Sequence, residues 1–232
     1  MTAGGSAMFQ GFSQQTGDFL WSLAMNNDRT WFQAHKQEFE DALNQPFRAL
    51  ANEVLALMRE RWPEWDFGLH ISRIYRDARR LFGRGPYKDH LWFTVQSGGR
   101  HESGPTFWFE VDGVSWTCGM GWWEPAADHA AAWRAAIDAD PDRFIRLVRG
   151  LPANYRLWGD EYKRPKGDRG EIINPWYNRK SVSIGRTQGY GGVMYTPELP
   201  RAVVDYYAAL MPMHQFYQEV WNAVLTERAG RA

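Results

Sequence analysis

The segment TFWFEVDGVSWTCGM, residues 106–120, is the stretch from which the fold can be predicted. Both of its halves are rich in Thr, Val, Phe and Trp, which favour strands, and Asp112-Gly113 lies between them. Asp-Gly between two such runs is typical of the two-residue turn of a β-hairpin. The segment therefore predicts two antiparallel strands, at 106–111 and 114–120.

Further strands are expected on both sides of this hairpin. Residues 91–96 have a similar strand-forming composition, and residues 181–184 fit a short strand later in the chain. The segment 71–82 is open between two structures, because its apolar residues also recur at the spacing of a helix. A strand at 69–75 is favoured, since Gly68 precedes a short β-branched and aromatic run.

Helices are predicted at both ends of the chain. Near the N-terminus, Ser13 and Asp28 fit N-caps and Pro46 fits the first turn of a third helix. Each is followed by apolar residues at helical spacing. These signals predict an N-terminal unit of three helices.

The second half of the chain predicts four more helices. Two follow the hairpin, at 127–139 and 141–149, and two lie near the C-terminus, at 200–210 and 213–228. The last two are separated because Pro212 lacks the N–H that a helix interior needs. Together these elements predict an α+β fold, with a mainly antiparallel central sheet covered by N-terminal and C-terminal helices.

Composition limits the class of protein. The 232 residues, 44% of them hydrophobic, suit one α+β domain over 9–232 after a flexible tail at 1–8. Lys plus Arg equals Asp plus Glu at 27 each, which argues against a dedicated duplex-DNA binder but permits a local basic patch. The single Cys118 and the lack of a signal peptide or spanning segment predict a cytoplasmic protein without a membrane partner. No metal-ligand spacing occurs, and the residues identify no cofactor.

The segment ISRIYRDARRLFGRGPYKDHLWF, residues 71–93, concentrates positive charge. Two acids, Asp77 and Asp89, accompany six cationic residues, and three aromatic residues are interleaved with them. The cations are Arg73, Arg76, Arg79, Arg80, Arg84 and Lys88, and the aromatic residues are Tyr75, Tyr87 and Trp92. Because the guanidinium fork matches carboxylate and phosphate oxygens, the segment predicts an anion-binding surface. The glycines and proline of 83–86 predict a loop within it.

Several blocks resemble one family. They are NNDRTWF at 26–32, RIYRD at 73–77, PYK at 86–88, GMGWWEP at 119–125 and YKRPKG at 162–167. In order and spacing these blocks are similar to domain of unknown function family 2461, over nearly the whole chain. The resemblance implies a single conserved domain but no established activity. The family usually has an Asp-Lys pair just before its Pro-Tyr-Lys, where this chain has Gly83 and Arg84.

The leading site hypothesis is an anion pocket in the segment 71–93. The predicted ligand-binding residues of this segment are Arg73, Arg76, Arg84, Tyr87 and Lys88. If the protein is an enzyme, Asp77 and Tyr87 are proton-transfer candidates. The alternative is a solvated face in which Asp77 forms ion pairs with Arg76 and Arg79, and such surface pairs contribute only about 0–1 kcal/mol each.

Each of the other candidate site residues also fits a purely structural role. His35 could act as an acid or base, but its spacing from Trp31 and Phe39 also fits packing. Lys163 and Arg164 could form a loop that closes over the bound anion, or a plain exposed loop. Three tryptophans could stack on a ligand or pack across strands; they are Trp116, Trp122 and Trp123.

The sequence therefore predicts a protein that binds an anionic small molecule or a nucleotide-like ligand. A nucleic-acid-binding module, which would use the same cations with Trp92 or Trp123, is less favoured. A structural or protein-interaction domain without catalysis is the third alternative. The residues do not determine the reaction or the oligomeric state.

Overall fold

The computed structural model of the chain describes residues 8–77, 79, 81, 83–97 and 104–231. In this part of the chain the strands form one six-stranded sheet with the order β1-β2-β3-β4-β6-β5. They are β1 (Phe67–Ile71), β2 (His90–Ser97), β3 (Thr106–Asp112), β4 (Ser115–Trp122), β5 (Arg156–Trp158) and β6 (Val182–Gly189). The edge strands pair antiparallel with their neighbours, with Leu69 opposite Val95 in one pair and Leu157 opposite Ile184 in the other.

Among the described residues, four α-helices precede the strands in the chain, three lie between β4 and β6, and one follows β6, which confirms the α+β class. They are α1 (Gln14–Met25), α2 (Arg29–Ala34), α3 (Lys36–Phe39), α4 (Gln45–Arg61), α5 (Ala127–Ala139), α6 (Pro141–Arg149), α7 (Asn174–Tyr177) and α8 (Leu199–Arg231). A π-helical turn, Glu40–Asn44, joins α3 to α4, and a 3-10 turn, Gly192–Tyr195, precedes α8. No described helix combines the length and apolar character needed to cross a membrane.

The chain divides into two compact units. The first takes its described residues from Met1–Arg100, Trp108–Cys118 and Thr187–Asp205, and the second from His101–Phe107, Gly119–Arg186 and Tyr206–Ala232. The single domain expected over 9–232 stays a prediction, because compactness alone does not show whether either unit folds independently. Of the expected tail at 1–8, residues 1–7 lie outside the described residues.

The first unit packs its N-terminal helices on one face of the sheet. Phe47 of α4 contacts Phe93 of β2 and Phe109 of β3, with ring centroids 5.6 and 6.1 Å apart. Residues along β2 alternate between buried and partly exposed, so that Leu91, Phe93 and Val95 face this core. His90 and every second residue after it lie on the other face of β2.

Aromatic side chains dominate the core of the second unit. Trp122 of β4 and Trp133 of α5 are fully buried, with ring centroids 6.1 Å apart. Tyr217 of α8 packs edge-on against both. These three rings are part of the 16% aromatic content of the chain, and they supply core area to this unit.

Local sequence signals predicted most of these elements. The hairpin forms as β3 and β4, and the Asp112 carboxylate accepts hydrogen bonds from the backbone N–H groups of Val114 and Ser115 at 2.8 and 2.7 Å. Asp28 caps α2 by accepting a hydrogen bond from the N–H of Trp31 at 2.9 Å. Between 71 and 82, β1 ends at Ile71, and no α-helix is assigned in the described residues of that segment.

The prediction of two C-terminal helices broken at Pro212 is wrong, because α8 runs through this residue without interruption. Pro212 is exposed, whereas Met211 and Met213 on either side of it are buried. Burial of a methionine contributes about 1.5–3 kcal/mol, and a proline inside a helix costs about 3 kcal/mol. The burial of these and other side chains of α8 therefore outweighs the cost of Pro212.

Candidate functional site

The RIYRD and PYK segments lie side by side in the first unit. Tyr75 and Tyr87 form an isolated antiparallel bridge, outside the six strands. Two backbone hydrogen bonds flank it, from Arg76 N to Pro86 O at 2.8 Å and from Lys88 N to Ile74 O at 2.7 Å. The 83–86 loop joins the two segments, as the sequence predicted.

The side chain of Asn27 holds this bridge from the other side. Its Nδ2 donates to the carbonyl of Tyr87 at 2.9 Å, and its Oδ1 accepts from the N–H of Tyr87 at 2.9 Å. Gly85 approaches Asn27 so closely that a Cβ on Gly85 would overlap the amide and carbonyl groups of Asn27. The turn between α1 and α2 is therefore fixed against the bridge.

Tyr87 is buried beneath this turn. Its ring stacks on that of Phe32, with centroids 4.0 Å apart. Burial raises the pKa of Tyr87, the nearby groups of Tyr75 and Asp28 raise it further, and the charge of Arg29 opposes the rise. The phenol is therefore a hydrogen-bond donor near neutral pH rather than a base.

A cavity of about 240 Å³ opens beside the bridge. Its lining combines cationic, neutral polar and apolar side chains, and no carboxylate is among the described residues that line it. The lining residues are Arg29, Gln33, Tyr75, Arg76, Leu81, Pro86 and Tyr87. Two guanidinium groups without a carboxylate in the lining make this cavity suited to an anion.

Arg76 is the most firmly positioned cation of the lining. Its Nε donates to the carbonyl of Tyr87 at 2.7 Å, and its Nη2 donates to Oδ1 of Asp89 at 3.2 Å. The side chain is only 13% exposed, and Nη1 has no acceptor among the described residues. A bound anion would satisfy this remaining donor.

Arg29 and Gln33 supply further donors from α2. They are four residues apart, so the helix presents both side chains on one face. Neither side chain, nor the hydroxyl of Tyr75, has a hydrogen-bond partner within the described part of the chain. These residues were not predicted as ligands. Arg29 lies in the NNDRTWF block, and its i, i+4 spacing to Gln33 indicates that the two side chains share one helix face.

The family model described as "Conserved hypothetical protein (DUF2461)" matches residues 15–216. The chain belongs to the DUF2461 family. The match covers the Asn27 turn, the bridge and every residue that lines the cavity. No curated protein matches the chain with significant similarity.

Three other cations predicted in this DUF2461 chain do not line the cavity. Lys88 donates from Nζ to the carbonyl of Arg73 at 2.7 Å and lies 5.5 Å from the ring centre of Trp92. Burial lowers the pKa of Lys88, and the charges of Arg76 and Arg73 add to that effect. Arg73 and Arg84 are exposed outside the cavity lining, and of the three predicted arginines Arg76 lines the cavity.

Two of the three proton-transfer candidates have structural roles in this DUF2461 protein. Asp77 is exposed and pairs with Arg79, whose Nη2 lies 2.8 Å from Oδ2. His35 stacks on Trp31 at a centroid distance of 4.1 Å, and its Nδ1 is 2.8 Å from the carbonyl of that residue. Neither lines the cavity, which leaves Tyr87 as the candidate that does.

The second predicted basic group, Lys163 and Arg164, lies in the second unit between β5 and α7. Both side chains are exposed. The loop is fixed by Asn178, whose Oδ1 accepts from the N–H of Lys166 at 2.6 Å and whose Nδ2 donates to the carbonyl of Gly167 at 3.0 Å. Closure of this loop over the first basic cluster stays a prediction.

The predicted stacking tryptophans differ in exposure. Trp116 and Trp122 are buried and serve the core, whereas Trp123 is 70% exposed. Within the described residues, no group of three or more His, Cys, Asp or Glu side chains is arranged to hold a metal ion. The polar side chains that line the cavity are those of arginine, tyrosine and glutamine.

Proposed function

We propose that this DUF2461 protein binds the anionic group of a small molecule in the cavity beside the Tyr75–Tyr87 bridge. The observation that carries the proposal is the lining itself, in which the described residues include Arg29 and Arg76 but no carboxylate. An anion bound there would accept hydrogen bonds from both guanidinium groups. The hydroxyl of Tyr75 and the amide of Gln33 would add neutral donors.

The apolar part of the lining supports a ligand that is more than a simple ion. Leu81, Pro86 and the ring of Tyr87 border the same cavity as the two arginines. A volume of about 240 Å³ exceeds what a single carboxylate or sulfonate group would fill. The proposed ligand therefore joins an anionic group to an apolar or ring-containing part.

A reaction at this cavity would draw on Tyr87. Because burial raises the pKa of its phenol, Tyr87 would serve as a hydrogen-bond donor or general acid and not as a base. Arg29 and Arg76 would stabilise negative charge on the reacting group. The cytoplasmic location expected from the lone Cys118 stays a prediction.

Methanesulfonate, a small monoanion, is a suitable probe of the proposed site. We expect it to shift the NMR signals of Arg29, Tyr75 and Arg76 with a Kd in the millimolar range, as suits so small a ligand. Arg29→Gln removes one cation without breaking an ion pair among the described residues. We expect it to weaken binding about tenfold or more, since a charge-assisted hydrogen bond contributes about 1.5–3 kcal/mol.

Arg79→Gln is the matched control. Arg79 belongs to the same basic segment, but it is 88% exposed and pairs with Asp77 outside the cavity lining. Its replacement should leave the Kd within about twofold of the wild-type value. Equal weakening by the two substitutions, or shifts spread over all basic surfaces, would refute a specific cavity site.

A further inference from the structure

Asp89 connects the cavity to the imidazole of His90. Its Oδ1 atom accepts a hydrogen bond from Nη2 of Arg76 at 3.2 Å and lies 2.9 Å from Nδ1 of His90. One carboxylate oxygen is thus shared between a cavity guanidinium and an imidazole. The proposed ligand would meet the same guanidinium that Asp89 already occupies at Nη2.

The charge on Asp89 persists at neutral pH. Partial burial alone would raise the pKa of Asp89, but the hydrogen bond with His90 and the charge of Arg76 lower it below its ordinary value. Asp28 is another carboxylate near the cavity, and it accepts a hydrogen bond from the N–H of Trp31 at the start of α2. Within the described part of the chain, Asp89 is the acid that forms an ion pair with a cavity cation.

We infer that Asp89 shifts the selectivity of this cavity toward singly charged anionic groups, such as a carboxylate or sulfonate, and away from doubly charged ones, such as a phosphate monoester. The inference rests on the proposed function. With Asp89 in place, the pair Arg76–Asp89 is neutral overall, and Arg29 is the lining cation without an ion-pair partner among the described residues. Asp89 repels any anion bound beside Arg76, and it repels a dianion more strongly than a monoanion.

The size of the effect scales with the charge of the ligand. The Coulomb energy between Asp89 and a bound anion is proportional to the ligand charge, so a dianion is repelled twice as strongly as a monoanion at the same position. The fold by which Asp89 weakens the binding of a dianion is therefore the square of the fold by which it weakens the binding of a monoanion. Asp89 is 53% exposed, so solvent screening keeps both factors small.

Sulfate and methanesulfonate make a matched pair of probes, because both present tetrahedral sulfur and oxygen but carry two charges and one charge. We expect Asp89→Asn to tighten binding of methanesulfonate about threefold and binding of sulfate about tenfold, measured by NMR titration at low ionic strength. Asp89→Ser, which removes the same charge with a different side chain, should give the same ratio. Unchanged NMR spectra of the remaining chain would verify that both variants fold.

Asp77→Asn is the control, since Asp77 lies in the same segment but pairs with Arg79. It should change neither affinity by more than about twofold. Equal tightening for the two ligands, or none, would overturn the selectivity while leaving the proposed site intact. Failure of both ligands to bind any variant would instead remove the proposed function and the inference together.

Discussion

Asn27 is hydrogen-bonded to the backbone of Tyr87 at both ends of its side-chain amide, although 60 positions separate the two residues in the chain. The amide pairs with the peptide groups of Tyr87 as a neighbouring strand would. This contact connects the NNDRTWF block to the PYK block and sets one wall of the cavity. Two of the five family blocks are thus joined by one three-dimensional contact.

Replacing Asn27 should test how far this contact supports the site. Asn27→Ala leaves the partly buried N–H of Tyr87 without its acceptor, so we expect a loss of about 1–3 kcal/mol in the free energy of unfolding. Urea unfolding measures this loss, and methanesulfonate binding should weaken in parallel. The adjacent Asn26→Ala, which removes one exposed hydrogen bond to Ser22, should cost less than half as much. Equal losses would show that the contact has no special role.

The two glycines of the 83–86 loop should respond differently to alanine. Gly83 has a positive φ of 78° but open space around it, so Gly83→Ala should cost only about 1–2 kcal/mol of backbone strain. At Gly85 a new Cβ overlaps Asn27, so the loop must move away from α2. We expect Gly85→Ala to cost more than Gly83→Ala in thermal unfolding and to weaken anion binding as well. A larger loss at Gly83 would contradict the close approach.

Pro212 should be replaceable with a gain in stability. It is exposed inside α8, so Pro212→Ala creates no core cavity and restores an N–H that can enter the helical hydrogen-bond ladder. We expect the free energy of unfolding to rise by about 1–3 kcal/mol. Gln215→Ala, at another exposed position of the same helix, should change it by less than about 0.5 kcal/mol. Destabilisation by Pro212→Ala would mean that the proline shapes the packing of α8.

His214 should make the protein less stable in mild acid. It is fully buried against Phe107, and burial lowers its pKa from about 6.5 to about 4. As the pH falls below about 6.5, the unfolded chain binds a proton that the folded chain does not, so unfolding becomes more favourable. The loss should reach roughly 3 kcal/mol near pH 4 and then level off.

A pH series of unfolding curves measures this dependence. His214→Phe, which preserves a ring in the core, should lack that part of the stability loss between pH 6.5 and 4. His70→Gln, at an exposed position, should leave the part of the loss that is due to His214 in place. Parallel curves for wild type and His214→Phe would show that His214 is not the responsible group.

Sequence signals succeeded where they were local. The Asp112-Gly113 turn and the Asp28 cap each act within four residues, so the hairpin and the start of α2 could be predicted. Pro212 misled because its cost is also local, whereas the burial that outweighs it comes from residues distant in the chain. The order of the strands also depends on contacts between residues distant in the chain, so local signals did not predict it.

The cavity was predicted only in part for the same reason. Charge density identified Arg76 and Tyr87, but Arg29 reaches them from a helix more than forty residues earlier in the chain. Asp77 was the expected partner of Arg76 because it is adjacent, yet the bridge places Asp89 there instead. The pairing of Tyr75 with Tyr87 brings Asp89, rather than Asp77, to Arg76.

The open space around Gly83 bears on which side chains this loop can carry. The family resemblance implies an aspartate where this chain has Gly83, and aspartate tolerates a positive φ better than most residues. Such a substitution would not displace Asn27 or the bridge, because no atom of the described residues lies within 4 Å of the new Cβ. The tip of this loop can therefore gain a negative charge while the scaffold beneath it stays the same.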